Sequence, residues 1–245
     1  MSKPKVSQLA PQVPGNRRAA YSASTKRTLV DVAERLFTEH GYANASLDSI
    51  VAGAEVTKGA LYHHFSGKQA LFEAVFVRVE ADAARTIGLA LEGRTDPWDK
   101  ARTGLRAFLA VVQEPRYRRI VVQDGPAVLG YERFREQEER STYANVVDIV
   151  RSVQVAADWE LDEEMVQTFA RIFFGAMASA GESVAGAEDG VAAADRVEVA
   201  MTFIIAGFQA LSEAGVALPG STAGSTAGAT AGSTAGSTAG STTRR

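Results

Sequence analysis

The sequence of 245 residues predicts an all-α protein. Two observations lead to that fold class. Alanine-rich segments repeat apolar residues at the three- and four-residue spacing of one helical face. No convincing run alternates apolar and polar side chains between turn residues, as a half-buried strand would. A chain of this length can bury one large core or two modest ones, so one or two helical domains are expected.

Composition excludes several classes of protein. The chain has no cysteine, so neither a disulfide framework nor a thiolate metal site can form. Its N-terminus lacks the apolar core of a secretion signal, and no stretch reaches the roughly 18 unbroken apolar residues of a membrane span. We therefore expect a cytoplasmic protein without a cofactor.

Charge is distributed unevenly along the chain. Residues 1–78 hold 10 Lys or Arg against 6 Asp or Glu, a net charge of +4, whereas residues 79–245 hold 16 against 23, a net charge of −7. The first 28 residues contain no acid and six bases: Lys3, Lys5, Arg17, Arg18, Lys26 and Arg27. This asymmetry predicts that the N-terminal part attracts phosphate and that the rest does not. On charge alone, a merely solvated basic tail is an equally good interpretation.

The chain begins with a segment that the sequence predicts to be a flexible arm. Residues 1–23 contain three prolines and little apolar periodicity. The first helix is predicted over residues 24–40, with Ser24 as its N-cap and Gly41 as the left-handed residue that ends it. Its buried face carries apolar residues at helical spacing, namely Leu29, Val32, Ala33, Leu36 and Phe37.

Residues 46–68 contain two short helix patterns separated by a tight turn, which is the layout of a helix-turn-helix. The first of the pair is predicted over residues 47–53, with Ser46 as its N-cap. Thr57 is predicted to cap the second by accepting a hydrogen bond from the backbone N–H of Ala60.

The second helix of this pair has two different faces. Successive helical residues are about 100° apart, so Leu61 and Phe65 fall on one side and Gly59, Tyr62 and His63 point away. A large aromatic side chain that is turned away from its own core needs a partner surface. Because the second helix of a helix-turn-helix enters the DNA major groove, the motif predicts a DNA-binding regulator.

A fourth helix is predicted to follow and to continue to about residue 92. Ser66 and Gln69 have the spacing of a capping box, and Gly67 is the alternative N-cap. Further helices are predicted at about 97–113, 115–123, 126–156, 162–184 and 191–213.

Two features interrupt or end this helical series. Gly125-Pro126 and Gly130 break the pattern near the start of the helix predicted at 126–156. Residues 220–243 repeat G-S-T-A with a period of four and carry no large side chain. Such a segment cannot offset the entropy of ordering its backbone, so we expect a disordered tail over residues 217–245.

The helix-turn-helix resembles that of TetR-type transcriptional regulators. The likeness rests on F-T-E-H-G-Y at the end of the first helix, S-L-D-S-I-V in the second, and V-T-K-G-A-L-Y-H-H-F followed by a lysine three residues on. It covers residues 24–84. The resemblance implies a DNA-binding domain there, which the fourth helix joins to a helical ligand-binding and dimerisation domain at residues 85–216.

In that family the residues before and along the third helix contact DNA. The resemblance carries that role to Ser46, Thr57, Lys58, Gly59, Ala60, Tyr62, His63, His64 and Lys68. Tyr62 and Lys68 correspond to phosphate contacts, and the caps Ser46 and Thr57 have hydroxyl groups that can also face phosphate. Lys58 is the best candidate for base reading, because an ammonium group can donate to guanine.

The remaining residues of that set have smaller expected roles. Gly59 would let the backbone approach DNA, and Ala60 could touch a thymine methyl group. His64 matches the family's histidine near the end of the third helix, whereas His63 fills a variable position. Neighbouring histidines diverge by about 100° on a helix, so we expect no metal site there.

Two residues depart from the family's pattern. Asp48 stands where the family often has arginine, which removes a possible DNA contact and adds like-charge repulsion against phosphate. Glu55 sits in the turn, where glycine is common. With these changes the operator sequence does not follow from the motif.

The resemblance also implies a small-molecule pocket and a dimer interface in the C-terminal domain. The pocket candidates are Phe108, Tyr117, Tyr131, Tyr143 and Phe173, although the same rings can simply fill a helical core. The dimer candidates are the helices at 162–184 and 191–213, whose apolar stripes can also pack on each other within one subunit. The stripes are Met165, Phe169, Ile172, Phe173, Ala176 and Met177 on the first, and Val197, Met201, Ile204, Ile205 and Phe208 on the second.

The sequence therefore predicts a homodimeric repressor that binds a palindromic operator in double-stranded DNA and leaves it when a small-molecule effector binds. Two other classes stay open. One is a helical enzyme, for which the sequence has no metal-ligand motif, nucleophile elbow or phosphate loop, so that no catalytic residue is predicted. The other is a small-molecule-binding protein whose helix-turn-helix is inactive.

Overall fold

The structure is a computed structural model that describes residues 14–140 and 142–216. Those residues form helices and no strand, which confirms the all-α prediction. The helices are α1 Pro14–Asn44, α2 Leu47–Gly53, α3 Lys58–His64, α4 Lys68–Leu91, α5 Pro97–Gln113, α6 Pro115–Tyr117, α7 Gly125–Leu129, α8 Tyr131–Arg140, α9 Thr142–Ala156, α10 Glu163–Gly186 and α11 Gly190–Glu213. A π-helical segment, Arg118–Asp124, joins α6 to α7. The predicted tail and residues 1–13 of the predicted arm lie outside the described residues.

Helix α1 begins earlier than the sequence predicted. Residues 14–23 were expected to belong to a flexible arm, but they are helical. Pro14 suits the first turn of a helix because it has no N–H group to leave unpaired, and the alanines that follow are strong helix formers. Residues 14–23 have little apolar periodicity, so the sequence pattern did not predict them to be helical. A helix can nevertheless extend beyond the core on which it packs.

Gly41 was predicted to end the first helix; it has the expected positive φ of 77° and interrupts α1, but the helix resumes and ends at Asn44. A side chain is strained in that conformation. A Cβ atom there would also lie 1.8 Å from the guanidinium group of Arg119, so that side chain would have to shift. The close approach of Arg119 brings the π-helical segment against the end of α1.

The helix predicted at 126–156 is divided into α7, α8 and α9. Gly130 ends α7 with a φ of 77°, so the interruption that the sequence indicated at this glycine is confirmed. The helices at either end of the C-terminal domain agree closely with the predicted ones. Pro97 occupies the first turn of α5, and the Asp96 side chain accepts from the backbone N–H groups of Trp98 and Asp99.

One buried apolar cluster extends through the described part of the chain. It runs from Leu29 in α1 to Ile205 in α11. Helix α4 contributes to it along its whole length, from Leu71 to Ile87. We call α1 to α3 and the first half of α4 the head. Helix α4 therefore belongs to both regions.

Each apolar stripe predicted on α10 and α11 is divided between two faces. On α10, Phe173 and Met177 point inward, whereas Ile172 is 63% exposed. On α11, Ile205 is buried, whereas Phe203, which the predicted stripe omitted, is 81% exposed. Both helices carry apolar residues on two opposite sides. The spacing of apolar residues along the sequence does not separate these sides, so both were predicted as one stripe.

No helix in the described residues is long and apolar enough to cross a membrane.

Candidate nucleic-acid interface and cavity

The start of α2 is fixed by two serines. The Ser46 hydroxyl accepts from the backbone N–H of Ser49 at 3.0 Å, and the Ser49 hydroxyl accepts from the backbone N–H of Ser46 at 3.2 Å. This reciprocal pair is a capping box, and it confirms Ser46 as the N-cap. The sequence analysis missed Ser49 because the capping-box pattern calls for Glu or Gln at that position. Both serines are exposed, beside the turn that leads to α3.

Thr57 fixes the start of α3 in the predicted way. Its hydroxyl accepts from the backbone N–H of Ala60 at 3.1 Å. The cap orients the short helix so that Leu61 is 1% exposed and Phe65 is buried, while Tyr62 is 58% exposed. The predicted division of α3 into a core face and an outward aromatic face is therefore confirmed.

The predicted DNA contacts along α3 form one continuous outer surface. Lys58, Gly59, Tyr62 and His63 are exposed, and Ala60 and His64 at its edges are half-buried. A surface with a phenol, an ammonium group and two imidazoles offers hydrogen-bond donors and apolar ring area together. Such a combination suits the sugar–phosphate backbone and the base edges of DNA. No group of three or more His, Cys, Asp or Glu suited to a metal ion occurs within the described ranges.

His64 differs electrostatically from an exposed histidine. Burial lowers its pKa, and the charges of His63 and Lys26 lower it further. The ring of His64 lies 5.1 Å from that of His63. The lowered pKa favours the neutral, hydrogen-bonding form of His64 in the free protein.

Lys58, the candidate for base reading, is held by Asp48. The Lys58 Nζ atom lies 2.7 Å from Asp48 Oδ1, and both side chains are exposed. This hydrogen bond and the charge of Asp48 raise the pKa of Lys58. The sequence analysis assigned Asp48 only a lost contact and a repulsion. The structure adds that Asp48 pairs with the ammonium group of Lys58 on α3, so Lys58 would have to exchange or share this partner in order to contact a base.

Lys68 also has partners within the protein. Its Nζ atom donates to the backbone carbonyl of Ala43 at 3.2 Å and lies 4.4 Å from the centroid of the Tyr42 ring. Burial lowers the pKa of Lys68, and the charge of Asp124 acts in the opposite direction. The sequence analysis gave this lysine a phosphate contact only. In the structure it ties the start of α4 to the end of α1.

The N-cap of α4 is Gly67, which was the alternative N-cap in the sequence analysis. The predicted capping box between Ser66 and Gln69 is not formed. The Gln69 side chain donates instead to the backbone carbonyl of Val128 in α7 at 2.7 Å. This contact spans 59 residues in sequence. It attaches the first turn of α4 to the C-terminal helices, so no local pattern could have revealed it.

A cavity of about 660 Å³ lies inside the C-terminal helices. All five residues that the sequence offered for a pocket line it: Phe108, Tyr117, Tyr131, Tyr143 and Phe173. Both tryptophans of the chain, Trp98 and Trp159, also line it. Three charged residues border the cavity, Arg135, Arg171 and Glu182, and all of them are exposed. The volume is within the range of about 300–1,000 Å³ typical of small-molecule sites.

The segment from α6 to α7 touches both the cavity and the head. On one side Tyr117, Val121 and Pro126 line the cavity. On the other, Asp124 accepts from the backbone N–H of Tyr42 at 2.8 Å. Because one short segment carries both sets of contacts, an occupant of the cavity can act on the head through it.

Arg116 strengthens the attachment of this segment to the head. It lies 3.1 Å from Asp82 on α4 and 3.5 Å from Glu34 on α1. Arg78 on α4 also pairs with Glu34 and with Asp31. The sequence analysis missed this group because its members are far apart in the chain.

Two family models match the chain. Residues 29–75 match the model described as bacterial regulatory proteins of the tetR family. Residues 98–208 match the model described as the tetracyclin repressor-like C-terminal domain. The first match contains α2 and α3, and the second contains most of the residues that line the cavity.

Curated relatives and a solved structure are similar to this chain. The A-factor receptor protein of Streptomyces griseus is 41% identical over 58 residues, 24% of this chain and 21% of that protein. The transposon TetC protein of Escherichia coli is 33% identical over 110 residues, 44% of this chain and 54% of that protein. The chain thus spans from about a fifth to about half of these relatives' length. A crystal structure of a TetR-family transcriptional regulator from Pectobacterium atrosepticum is 29% identical, with a TM-score of 0.68 over 77% of this chain and 96% of that one.

Proposed function

This chain belongs to the TetR family of bacterial regulatory proteins, and we propose that it is a sequence-specific, DNA-binding transcriptional regulator. In this proposal it is a homodimeric repressor that a small molecule releases from a palindromic operator. The observation that carries the proposal is the outer face of α3, where Tyr62 is 58% exposed beside the fully buried Leu61. A capped helix that turns its aromatic and basic side chains outward is suited to the major groove.

Each residue of this surface has a role in the proposed complex. Tyr62 and Lys68 contact phosphate, together with the exposed hydroxyl groups of Ser46 and Thr57. Lys58 leaves Asp48 and donates to a guanine, the contact that discriminates between bases.

The remaining members of the surface complete the contact. Gly59 allows close approach of the backbone, and Ala60 touches a thymine methyl group. His63 and His64 donate hydrogen bonds at the end of the helix. The bases at residues 3–27 add attraction that does not depend on DNA sequence.

The outer faces of α10 and α11 support the proposed dimer. Ile172 on α10 and Val199, Phe203 and Ile204 on α11 are exposed apolar residues. Gly175 and Ala176 beside them are small and exposed, which permits close helix crossing. Two copies joined by these faces form a four-helix interface and present two recognition helices to successive major grooves, about 34–36 Å apart.

The cavity and the segment from α6 to α7 support the proposed release. An occupant that displaces Tyr117 or Pro126 also displaces Asp124 and Val128, which hold Tyr42 and Gln69 of the head. A change in the spacing of the two recognition helices then lowers operator affinity. Coupling of about 1–3 kcal/mol is enough to change affinity several- to a hundredfold, and effector and DNA must weaken each other equally.

Selection of bound fragments from the source genome tests the proposal. The full chain should enrich a palindromic sequence, and the genes beside it would indicate the chemistry of the effector. The Lys58→Ala variant tests the base-reading role in the same selection. The Lys100→Ala variant is its matched control, because it removes the same charge from the C-terminal domain. Failure to enrich any DNA would favour the protein with an inactive helix-turn-helix, and turnover of a bound small molecule would favour the enzyme.

A further inference from the structure

The lining of the cavity indicates what kind of molecule occupies it. We propose that the occupant is an uncharged, largely apolar, ring-containing molecule with one hydroxyl group, which donates a hydrogen bond to Asn145. This inference rests on the proposed effector role of the cavity, and it concerns the chemistry of the ligand. Three properties of the lining support this inference: the position of its charged residues, its aromatic walls and the hydrogen bonds that its amide groups already make.

Charge is confined to the exposed border of the cavity. Arg135, Arg171 and Glu182 are the charged residues that border it, and all three are exposed. Arg135 lies over the Tyr131 ring, 5.7 Å from its centroid, and is exposed. An ionised group on a ligand held among the apolar residues of the cavity would lose its hydration, and none of the charged residues of the lining is buried there to act as its counter-ion, which is strongly unfavourable. The occupant is therefore uncharged.

The walls of the cavity are aromatic on several sides. Trp98, Phe108, Phe134, Phe173 and Phe174 come from three different helices. Some of these rings already meet their neighbours edge-on, as Phe174 does with Tyr143 at 5.5 Å and 85°. Rings in this arrangement present both faces and edges to the space between them, and they attract a further ring in the same offset or edge-on geometry. A ring-containing ligand uses that surface better than a flexible chain, which would also lose more conformational entropy.

The polar groups of the lining are mostly occupied by the protein. The Trp159 indole N–H donates to the carbonyl of Val216, and the Gln154 amide N–H donates to the carbonyl of Leu161. The Tyr143 hydroxyl is bonded to Gln167. These groups hold the walls together and leave few positions at which a ligand can be recognised.

Asn145 on α9 differs from them because its partner within the protein lies on α4. Its amide N–H donates to the carbonyl of Ala84 on α4 at 3.1 Å, which fixes the amide oxygen as a hydrogen-bond acceptor in the lining. A ligand hydroxyl group that donates to this oxygen is held against the helix that leads to the head. The buried residue Thr142, one helical turn away along α9, lines the same cavity. The contact therefore joins recognition of the ligand to the element that transmits the signal.

A matched pair of ligands tests the charge. The probes are para-phenylphenol, which is neutral near pH 7, and para-phenylbenzoate, which has the same two rings and a carboxylate. Both tryptophans of the chain line the cavity, so their fluorescence reports binding by the full-length protein. The phenol should bind at least about tenfold more tightly, since leaving one charge unpaired costs more than the 1.4 kcal/mol of a tenfold change. Equal or tighter binding of the carboxylate, or binding of neither probe, overturns the proposal.

The Asn145→Leu variant tests the hydrogen bond. It replaces the amide with an apolar side chain of similar size and so removes the acceptor oxygen. We expect para-phenylphenol to bind about fivefold more weakly to this variant, because one net hydrogen bond is lost. Biphenyl, which lacks the hydroxyl group, should bind the variant and the parent protein equally. Equal weakening of both compounds would mean that Asn145 acts only by supporting the wall, and it would overturn the assignment.

Operator binding measured in the same titrations separates this inference from the proposed function. Binding of para-phenylphenol with release of DNA supports both. Selective binding of the phenol without release of DNA supports the ligand chemistry and contradicts the effector role. Release of DNA by the carboxylate alone supports the effector role and contradicts the ligand chemistry.

Discussion

The head and the C-terminal helices are both built from amphipathic helices, but they place their aromatic residues in opposite ways. In the head, Phe37, Tyr42 and Phe72 form a packed cluster with ring centroids 5.2–5.8 Å apart, and Tyr62 is turned outward. In the C-terminal helices, the aromatic rings surround a cavity of about 660 Å³. A solid core holds a recognition surface in fixed geometry, whereas a hollow one can change shape when it is filled. This contrast fits the proposed function, in which the head makes a rigid contact with DNA and the C-terminal helices respond to a ligand.

The same substitution in the two regions tests this contrast most strongly. Phe72→Ala removes a fully buried ring between Phe37 and Tyr42 and should cost about 3–5 kcal/mol of unfolding free energy. Phe173→Ala removes a half-buried ring that borders existing empty space, so fewer packing contacts are lost and the cost should be clearly smaller. Urea denaturation of the full chain measures both. Equal losses would show that the C-terminal core is as solid as the head.

The next largest effect is expected at the outward aromatic residue of the head. Tyr62→Ala removes the hydroxyl group that we propose donates to a charged phosphate, and affinity for every DNA sequence should fall by about 1.5–3 kcal/mol, or roughly ten- to a hundredfold. Because the ring is mostly exposed, unfolding free energy should change by less than about 0.5 kcal/mol. Fluorescence anisotropy with labelled DNA measures the affinity. An unchanged affinity would remove Tyr62 from the proposed interface.

Lys68 should affect both stability and DNA binding. Lys68→Ala removes the hydrogen bond to Ala43 and the contact with the Tyr42 ring, so unfolding free energy should fall by about 1 kcal/mol. It should also reduce the slope of binding affinity against salt by about one unit if the amine contacts phosphate. Lys100→Ala, which removes a lysine from α5, should leave the slope unchanged. A stability loss with an unchanged slope would assign Lys68 the structural role alone.

The part of the site that the sequence could predict is the part that depends on near neighbours. The caps at Ser46 and Thr57 bond to groups three residues away, so spacing in the chain determines them. The outward face of α3 follows from the same short repeat. The contacts of Gln69 with Val128 and of Tyr42 with Asp124 span 59 and 82 residues, and no local pattern contains them.

Other features escaped prediction for different physical reasons. Helices α10 and α11 have apolar residues on both the cavity side and the outer side, so periodicity could not say which side faces a partner. The ion pair of Asp48 with Lys58 depends on the angle between α2 and α3. Both residues were identified from the sequence, but nothing in the sequence indicated that they form an ion pair.

Breaking the ion pair of Asp48 with Lys58 tests the recognition surface of the head. Asp48→Ala should free Lys58, raise DNA affinity and steepen its dependence on salt. Glu55→Ala removes the same charge from the neighbouring turn and should have a smaller effect. In a double-mutant cycle, Lys58→Ala should cancel most of the gain from Asp48→Ala. Equal gains from the two single substitutions, independent of Lys58, would mean that Asp48 acts only through overall charge.

The smallest expected effect concerns His64, and its sign separates folding from DNA binding. Burial and the charges of His63 and Lys26 lower the pKa of His64 below the value of 6.5 expected in the unfolded chain. The unfolded state therefore binds more protons at mildly acidic pH. The contribution of His64 to stability is present above about pH 6.5 and is lost as the pH falls from there through the lower pKa of the folded state.

DNA should reverse this dependence, because nearby phosphates favour the protonated imidazole. Operator affinity at constant salt should rise as the pH falls through the range in which free-protein stability declines. His64→Gln should remove the trend in stability and weaken the trend in affinity, whereas His40→Gln, at the exposed end of α1, should change neither. Urea denaturation and anisotropy across mildly acidic pH measure the two quantities. If both moved in the same direction, His64 would be a residue of the head's core edge and not of its DNA surface, which would confine the proposed contact to the first turns of α3.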